Sequence, residues 1–210
     1  MPLYKTILRD SNTEILVWKI TETLAQLSLD VPLNEYSKAR LFGMKSLSHQ
    51  CGFMSVRKLL QMKGYTDFDL YYDEFGKPHL NDGRHISISH SHEFSTIMLS
   101  NQNCGIDLEM QRQKIVTIAH KFSEHEFDFL KDLSENDYIR QLTVIWGAKE
   151  AVFKIRNEVG ISFKDHIHLA PFSIESNEAL ALLKFGSIHL QYVVFFEEIE
   201  NFTLVYAFQQ

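Results

Sequence analysis

The order of strand and helix patterns is the feature that most constrains the fold of this 210-residue chain. Each half begins with a strand pattern, continues with longer stretches of helical periodicity, and ends with strands. The strands predicted in the first half are TEILVWKI, FDLYY and HISISH, with a helical stretch over residues 34–62 that breaks near Gly43 or Gly52. In the second half, the strand CGIDLEM is followed by helices in VTIAHKFSEHEFDFL and NDYIRQLTVIWGAKEAVFKI. The last two predicted strands, SIHLQYVVFFEE and NFTLVYAF, form a hairpin with its turn at Glu200 and Asn201. The sequence therefore predicts an α+β fold of two comparable units with mainly antiparallel sheets.

Composition is typical of a globular protein of the cytoplasm. Hydrophobic residues make up 45% of the chain, which is enough for a substantial core. The two cysteines, Cys51 and Cys104, lack the spacing of a disulfide framework or a zinc site, and we expect both to be buried. The first twenty residues contain no apolar run long enough for a signal peptide or a membrane span. We therefore expect a cytoplasmic location and no membrane partner.

The charge distribution divides the chain into two different halves. The net charge of −6 argues against general nucleic-acid binding. Residues 1–100 hold 11 basic and 11 acidic side chains, whereas residues 101–210 hold 10 basic and 16 acidic ones. Residues 36–66 form a basic segment without Asp or Glu, whose basic residues are Lys38, Arg40, Lys45, Arg57, Lys58 and Lys63. This segment is either a solvated helix face or a surface for a phosphate-rich ligand or an acidic partner.

The strand CGIDLEM carries two carboxylates on one face. Side chains alternate along a strand, so Ile106, Leu108 and Met110 should face the core while Asp107 and Glu109 point the other way. Neither carboxylate is then expected to take part in core packing. Because like charges repel, this arrangement calls for water, a basic partner or a cation.

The segment WGAKEAVFK places a glutamate between two lysines on a predicted helix. Helical geometry aligns Trp146, Glu150 and Lys154 on one stripe, with Lys149 beside it. Taken alone, this pattern also fits a surface Glu–Lys pair. If Glu150 joins the two strand carboxylates, however, the three provide the oxygen ligands that Mg²⁺ prefers alongside water and a substrate phosphate. Lys149 and Lys154 would then neutralise the phosphate charge.

The segment FGKPHLNDGRHISISHSHEF offers hydrogen-bond donors to a phosphate. Strand alternation places His85 and His90 on opposite faces, and no cysteine or HExxH helix lies nearby, so zinc is not predicted. Ser89, His90 and Ser91 could donate at the strand end, and Lys77 could reach the same region. A hairpin whose polar residues simply face water is the alternative.

The motifs GKP, ISISHS, GIDLE, FSEHE and WGAKEAVFK, in this order and at these intervals, resemble phosphopantetheinyl transferases of the large, surfactin-synthetase-activating type. They span Lys77 to Lys154, and a looser match covers nearly all of the chain. The resemblance implies a monomer with internal pseudo-twofold symmetry, in which coenzyme A and Mg²⁺ occupy the cleft of a pseudo-dimer. Residues 1–102 would form the lobe with the basic helix and coenzyme A contacts. Residues 103–210 would form the lobe with the metal carboxylates and the catalytic helix.

The resemblance also assigns roles to individual residues. Positions that match the family's metal ligands are Asp107, Glu109 and Glu150. Positions that match its coenzyme A contacts are Lys38, Lys77, Ser89 and His90. Lys154 matches the catalytic lysine, and Glu126 of FSEHE matches a glutamate that helps to deprotonate the attacking hydroxyl. In one departure, relatives usually carry an arginine about two turns before the FLxxR of the basic helix, whereas this chain has Ser48 and His49 ahead of FMSVR. Lys45 could take the place of that arginine.

The reaction implied by the resemblance is attack by a serine hydroxyl of an apo acyl or peptidyl carrier protein on the β-phosphorus of coenzyme A. Coenzyme A would be the co-substrate, Mg²⁺ the cofactor, and adenosine 3′,5′-bisphosphate the second product. Glu126, Glu150 or a metal-bound water could take the hydroxyl proton. Two other functions stay open: a non-catalytic relative that binds coenzyme A or a carrier protein, and a Mg²⁺-dependent phosphohydrolase.

Overall fold

The computed structural model describes residues 3–210 and divides into two compact units. Unit 1 is Met1–Gln102 and unit 2 is Asn103–Gln210. Within each unit the strands pair in antiparallel fashion and helices pack against them, which confirms the predicted α+β fold. In the part of the chain that the structure describes, no helix is both long and apolar enough to cross a membrane. Pseudo-twofold symmetry between the lobes stays a prediction.

Unit 1 combines a four-stranded sheet, a short hairpin and three helices. Its elements are β1 (Leu3–Leu8), β2 (Glu14–Lys19), α1 (Leu24–Ser28), α2 (Glu35–Gly43), α3 (Leu47–Met62), β3 (Leu70–Tyr72), β4 (Pro78–Leu80), β5 (His85–Ser91) and β6 (Phe94–Ser100). The sheet has the order β1-β2-β6-β5, and β3 pairs with β4. Helix α3 packs against β2, β5 and β6. Because α2 ends at Gly43, the predicted break lies there, and Gly52 lies inside α3.

Unit 2 is a five-stranded sheet with one long helix and two short ones. Its elements are β7 (Cys104–Met110), α4 (Lys114–Ile118), α5 (Glu135–Arg156), α6 (Phe163–His166), β8 (Ile167–Leu169), β9 (Glu178–Phe185), β10 (Ile188–Ile199) and β11 (Phe202–Gln209). The sheet has the order β7-β11-β10-β9-β8. Strands β10 and β11 form the predicted hairpin, since Ile199 pairs with Phe202 across a turn in which Glu200 has a φ of 53°.

Helix α5 is defined by local signals at both ends. The Ser134 side chain accepts a hydrogen bond from the Asp137 N–H at the start, and Asn157 ends the helix in the left-handed region with a φ of 51°. The helix packs closely on β7 and β11. A Cβ atom at Gly105 of β7 would lie only 1.9 Å from the carbonyl oxygen of Ala151, so the strand backbone runs directly beneath the helix. This close approach brings the acidic residues of β7 to the side chains of α5.

Several elements differ from the prediction. The prediction omits strands β1, β4, β6, β8 and β9 and helices α1 and α6, and residues 116–130 do not form one long helix. They contain the end of α4 and two 3₁₀ turns, Ala119–Lys121 and His125–Asp128. The Ser123 hydroxyl donates to the Glu126 carboxylate at 2.7 Å. Such local side-chain hydrogen bonds compete with a continuous helix.

Candidate active site

Strand β7 and helix α5 bring four of the predicted site residues together in unit 2. Asp107 and Glu109 lie on the strand, and Glu150 and Lys154 lie on the helix. The Lys154 Nζ donates to Asp107 Oδ1 at 2.8 Å and to the Ile106 carbonyl at 2.9 Å. Asp107 is only 4% exposed, so this ion pair is largely shielded from water.

The burial of Asp107 differs from the prediction, although its side chain lies on the predicted face of the strand. A Cβ atom at Gly147 of α5 would lie 3.7 Å from Asp107 Oδ2, which places this carboxylate beneath the helix. Val205, the cross-strand partner of Asp107, belongs to the hydrophobic core of unit 2. The expectation that Asp107 takes no part in packing is therefore wrong. Ile106 and Leu108 are buried as predicted, on the other face of the strand.

The three carboxylates form one electrostatically coupled acidic cluster, defined here as Asp107, Glu109 and Glu150. Burial raises the pKa of Glu150 to about 7, and the neighbouring Asp107 adds to this shift while Lys154 opposes it. Burial also raises the pKa of Glu109, again with a contribution from Asp107. The indole N–H of Trp146 partly opposes that rise. The fold thus holds like charges close together, which has a cost in free energy.

The donor chemistry of the acidic cluster fits Mg²⁺. Carboxylate oxygens are the ligands that this ion prefers, and a bound cation would relieve the repulsion among the three side chains. Within residues 3–210, however, no group of three or more His, Cys, Asp or Glu side chains meets the geometry for holding a metal ion. The magnesium site therefore stays a prediction that rests on donor type and electrostatic coupling.

Lys149 does not lie where a phosphate could reach it. Its side chain is 0% exposed and forms an ion pair of 2.8 Å with Glu126, which is also 0% exposed. The Lys149 Nζ also donates to the carbonyl oxygens of Phe122 at 2.7 Å and Phe163 at 3.1 Å. The expectation that Lys149 neutralises a substrate phosphate is wrong, because its ammonium is buried and bound to protein oxygens.

Glu126, predicted to assist proton transfer, has a fully buried carboxylate with several partners. It accepts hydrogen bonds from the Ser123 hydroxyl at 2.7 Å and from the Leu169 N–H at 3.1 Å, in addition to Lys149. Burial alone would raise the pKa of Glu126, but Lys149 and these hydrogen bonds hold the pKa below its ordinary value. Such contacts do not favour proton exchange between Glu126 and a substrate hydroxyl.

Three of the predicted coenzyme A contacts lie on or near strand β5 in unit 1. Ser89 is buried and His90 is exposed on this strand. A Cβ atom at Gly52 of α3 would lie 3.2 Å from the His90 ring, so the helix passes close to this histidine. Lys77 is half-buried just before β4, and its backbone N–H donates to Asp73 Oδ1 at 2.9 Å.

The cations of the basic segment differ in how available they are to ligands. Arg57 is buried, and its Nε donates to Asp67 Oδ1 at 2.9 Å. Lys63 forms a 2.7 Å ion pair with a glutamate of β2. Lys38, the fourth predicted coenzyme A contact, is exposed and lies 2.7 Å from Glu35. Of these three cations, only Lys38 retains the exposure that a ligand contact requires.

The roles of three residues that shape the acidic cluster were not identified from the sequence. Gly105 and Gly147 allow β7, β11 and α5 to approach, since a Cβ atom at Gly147 would lie 2.7 Å from Val205 Cγ2. The sequence does contain a signal for both residues, because a glycine inside a strand pattern or a helix pattern often marks close approach of another backbone. The third is Trp146, whose effect on Glu109 requires knowledge of the packing.

Comparisons with known proteins identify sequences that are similar to this chain. Residues 103–206 match the sequence model of the 4′-phosphopantetheinyl transferase superfamily. A curated protein, 4′-phosphopantetheinyl transferase gsp of Aneurinibacillus migulanus, is 27% identical over 136 residues, which cover 63% of this chain and 55% of that protein. Residues 103–206, which lie within unit 2, are therefore similar in sequence to the 4′-phosphopantetheinyl transferase superfamily. The match spans about half the length of the curated relative.

Proposed function

We propose that this protein transfers the 4′-phosphopantetheine group of coenzyme A to a serine hydroxyl of an apo acyl or peptidyl carrier protein, and that Mg²⁺ is required. The observation that supports this most directly is the acidic cluster beside Lys154 in a unit whose sequence is similar to the 4′-phosphopantetheinyl transferase superfamily. Phosphoryl transfer demands from a protein mainly positioning and charge stabilisation. Carboxylates that hold a divalent cation, with a fixed ammonium next to them, suit both tasks.

The residues of unit 2 would divide the work as follows. Asp107, Glu109 and Glu150 would hold Mg²⁺, which when bound supplies positive charge to the pyrophosphate oxygens. Lys154 is fixed by its hydrogen bonds to Asp107 and Ile106, so its ammonium can stabilise charge on the phosphate without first reorganising. Glu150 is partly exposed, unlike Glu126, and can accept the serine proton. The serine oxygen bonds to the β-phosphorus as the bond from that phosphorus to the adenosine 3′,5′-bisphosphate oxygen breaks.

The proposal extends to unit 1 and to the cellular setting. Lys38, Lys77, Ser89 and His90 provide ammonium, hydroxyl and imidazole donors that suit the phosphates of coenzyme A. We place the reaction in the cytoplasm and propose a monomeric enzyme. Both cysteines are buried, which is compatible with a reducing compartment.

Mass spectrometry tests the proposal directly. The protein is mixed with coenzyme A, Mg²⁺ and a purified apo carrier protein, and the carrier should gain the mass of phosphopantetheine. A carrier whose acceptor serine is replaced by alanine should gain nothing. Binding of coenzyme A or carrier without any mass change would favour a non-catalytic relative, and nucleotide cleavage without transfer would favour a phosphohydrolase.

Replacement of Lys154 tests the role of its ammonium. Lys154→Ala should lower kcat about 100-fold and change the Kd for coenzyme A less than about threefold, if the ammonium acts on charge that develops in the transition state. Stopped-flow or discontinuous transfer assays and calorimetric titration measure the two quantities. Lys131→Ala, which removes an exposed lysine paired with Asp128, is the matched control and should leave both unchanged. A loss confined to KM would contradict the proposed role.

A further inference from the structure

Helix α5 buries an ion pair, Lys149 with Glu126, that the proposed chemistry does not use. The Lys149 ammonium has three N–H donors, and three oxygens accept from it: Glu126 Oε1 at 2.8 Å, the Phe122 carbonyl at 2.7 Å and the Phe163 carbonyl at 3.1 Å. Glu126 in turn accepts from the Ser123 hydroxyl and the Leu169 N–H. One buried pair thus connects α5 with residues 122–126, the start of α6 and strand β8.

Net stability is a poor explanation for such a pair. Two buried charges lose their hydration, and an apolar pair of similar volume often gives an equally stable protein. Removal of one partner alone is strongly destabilising, because the other charge is left buried. What an ion pair with saturated hydrogen bonds provides is a single fixed geometry among the segments that it joins.

The contacts of this pair lead to two members of the acidic cluster. Phe122 and Phe163, whose carbonyls accept from Lys149, pack their rings against Trp146 at centroid distances of 5.0 and 5.6 Å. Trp146 lines the same cavity as Glu109, and its indole N–H lowers the pKa of that carboxyl. Glu150 directly follows Lys149 in the helix, so any rotation of α5 that displaces one displaces the other.

We propose that the Lys149–Glu126 pair is a positioning device, which fixes the rotation of α5 and the orientation of Trp146 and thereby holds Glu150 and Glu109 in the acidic cluster. The catalytic part of this inference rests on the proposed function. It assigns Glu126 a positioning role in place of proton transfer. Strict positioning matters here because a misplacement of about 1 Å near a reacting group can lower a rate about 100-fold.

Tryptophan fluorescence tests the positioning without reference to activity. The chain has two tryptophans, so Trp18→Phe leaves Trp146 as the only emitter. In this background Lys149→Met should shift the Trp146 emission to longer wavelength and increase its quenching by acrylamide. Asp67→Asn, which breaks the buried pair with Arg57 in unit 1, is the matched control. It should lower the Tm but leave Trp146 emission unchanged.

Kinetics of Glu126 variants separate positioning from proton transfer. Glu126→Gln should lower the Tm, because the Lys149 charge loses its partner. The glutamine keeps the shape and an oxygen that can accept from Lys149, so in the folded variant kcat should remain within about fivefold of wild type and Trp146 emission should not move. Lys149→Met should lower kcat about 100-fold while KM for coenzyme A changes little. If Lys149→Met does not fold, Ser123→Ala removes one hydrogen bond of Glu126 and should show the same emission shift and kcat loss on a smaller scale.

Two results would overturn the inference. One is a Glu126→Gln variant that is folded, has normal Trp146 emission and has lost about 100-fold in kcat, since Glu126 would then be a proton acceptor. The other is a folded Lys149→Met or Ser123→Ala variant with wild-type emission and kcat, since the pair would then position nothing. If the wild-type protein shows no transfer at all, the proposed function fails and the fluorescence measurement still decides the structural role of the pair.

Discussion

Helices α3 and α5 each pack against the sheet of their own unit, and each buries one cation. In α3 the cation is Arg57, whose Nε lies 2.9 Å from Asp67; in α5 it is Lys149, whose Nζ lies 2.8 Å from Glu126. In both cases the carboxylate also accepts a hydrogen bond from a serine hydroxyl. The two units therefore use the same type of buried ion pair to join a long helix to a loop.

The surroundings of the two pairs differ. Helix α3 contains no acidic residue. In α5, Glu150 follows the buried lysine and lies within electrostatic range of Asp107 and Glu109. A buried ion pair on a long helix is thus not in itself a sign of an active site. The distinguishing feature of α5 is that the pair adjoins carboxylates whose charges repel one another.

Gly105→Ala should give the largest effect of any single change considered for this comparison. The new Cβ atom would lie 1.9 Å from the backbone oxygen of Ala151, and no side-chain rotation can relieve that overlap. Helix α5 would have to move away from β7, so we expect unit 2 to lose at least about 3 kcal/mol of unfolding free energy, and transfer activity to fall below detection. Urea denaturation measures the first quantity. A wild-type urea midpoint would show that α5 is not held this closely to the strand.

The acidic cluster was predictable where it depends on local periodicity. A period of two places Asp107 and Glu109 on one face of β7, and a period of 3.6 places Glu150 and Lys154 on one stripe of α5. Strand β7 begins and ends at the predicted residues, and each end of α5 lies within one residue of its predicted position. These limits were predictable because alternation, an N-cap and a left-handed terminal residue are all local signals.

The burial of individual charges was not predictable, because it depends on contacts distant in sequence. The stripe that contains Glu150 gives no indication that Lys149 is covered by residues 122–126. These residues link two 3₁₀ turns, Ala119–Lys121 and His125–Asp128, where a helix was predicted. Similarly, the alternation in β7 separates two faces but does not reveal which of them lies beneath α5. Asp107 was therefore expected to be outside the packed region, and it is 4% exposed beneath the helix.

A pH dependence of stability should distinguish α5 from α3. Burial and the charge of Asp107 raise the pKa of Glu150 to about 7, whereas a glutamate in an unfolded chain titrates near pH 4.3. Ionisation of Glu150 therefore costs more in the folded state. The contribution of protonated Glu150 to the unfolding free energy is complete below about pH 4 and is lost as the pH rises through about 7. Between about pH 5 and about pH 8, the unfolding free energy of Glu150→Gln should therefore rise by on the order of 2 kcal/mol relative to that of wild type.

Chemical denaturation in EDTA at a series of pH values measures this gain. In an Asp107→Asn background the gain should shrink, because Asp107 contributes to the raised pKa of Glu150. Parallel stability curves for wild type and Glu150→Gln would show that Glu150 is not destabilised by its surroundings.

Asp107→Asn should lower stability at about pH 6, where Glu150 is mostly protonated. The variant loses the 2.8 Å ion pair with Lys154, whose side chain is 28% exposed, and we expect a cost of about 1–2 kcal/mol. Near pH 8 the cost should be smaller, because removal of the Asp107 charge then also relieves repulsion of Glu150. Thermal melts at the two pH values test this, with Asp128→Asn in the exposed pair with Lys131 as a control that should change little. Equal melting temperatures for wild type and Asp107→Asn at both pH values would show that the ion pair does not stabilise the fold.

The smallest effect is expected at Gly52, which faces a strand residue of its own unit from inside α3, as Gly147 does from inside α5. In a helix interior, alanine is favoured over glycine by about 1 kcal/mol. A Cβ atom at Gly52 would lie 3.2 Å from the ring of His90, which is exposed and can shift by a few tenths of an ångström. Gly52→Ala should therefore leave the unfolding free energy within about 1 kcal/mol of wild type and, if His90 contacts coenzyme A, raise its Kd about threefold. Gly147→Ala should cost clearly more, because its Cβ atom would lie 2.7 Å from Cγ2 of the buried Val205. If the two variants lose stability equally, the closeness of helix to sheet does not distinguish the two units, and the close approach of α5 to its sheet is no special requirement of the acidic cluster.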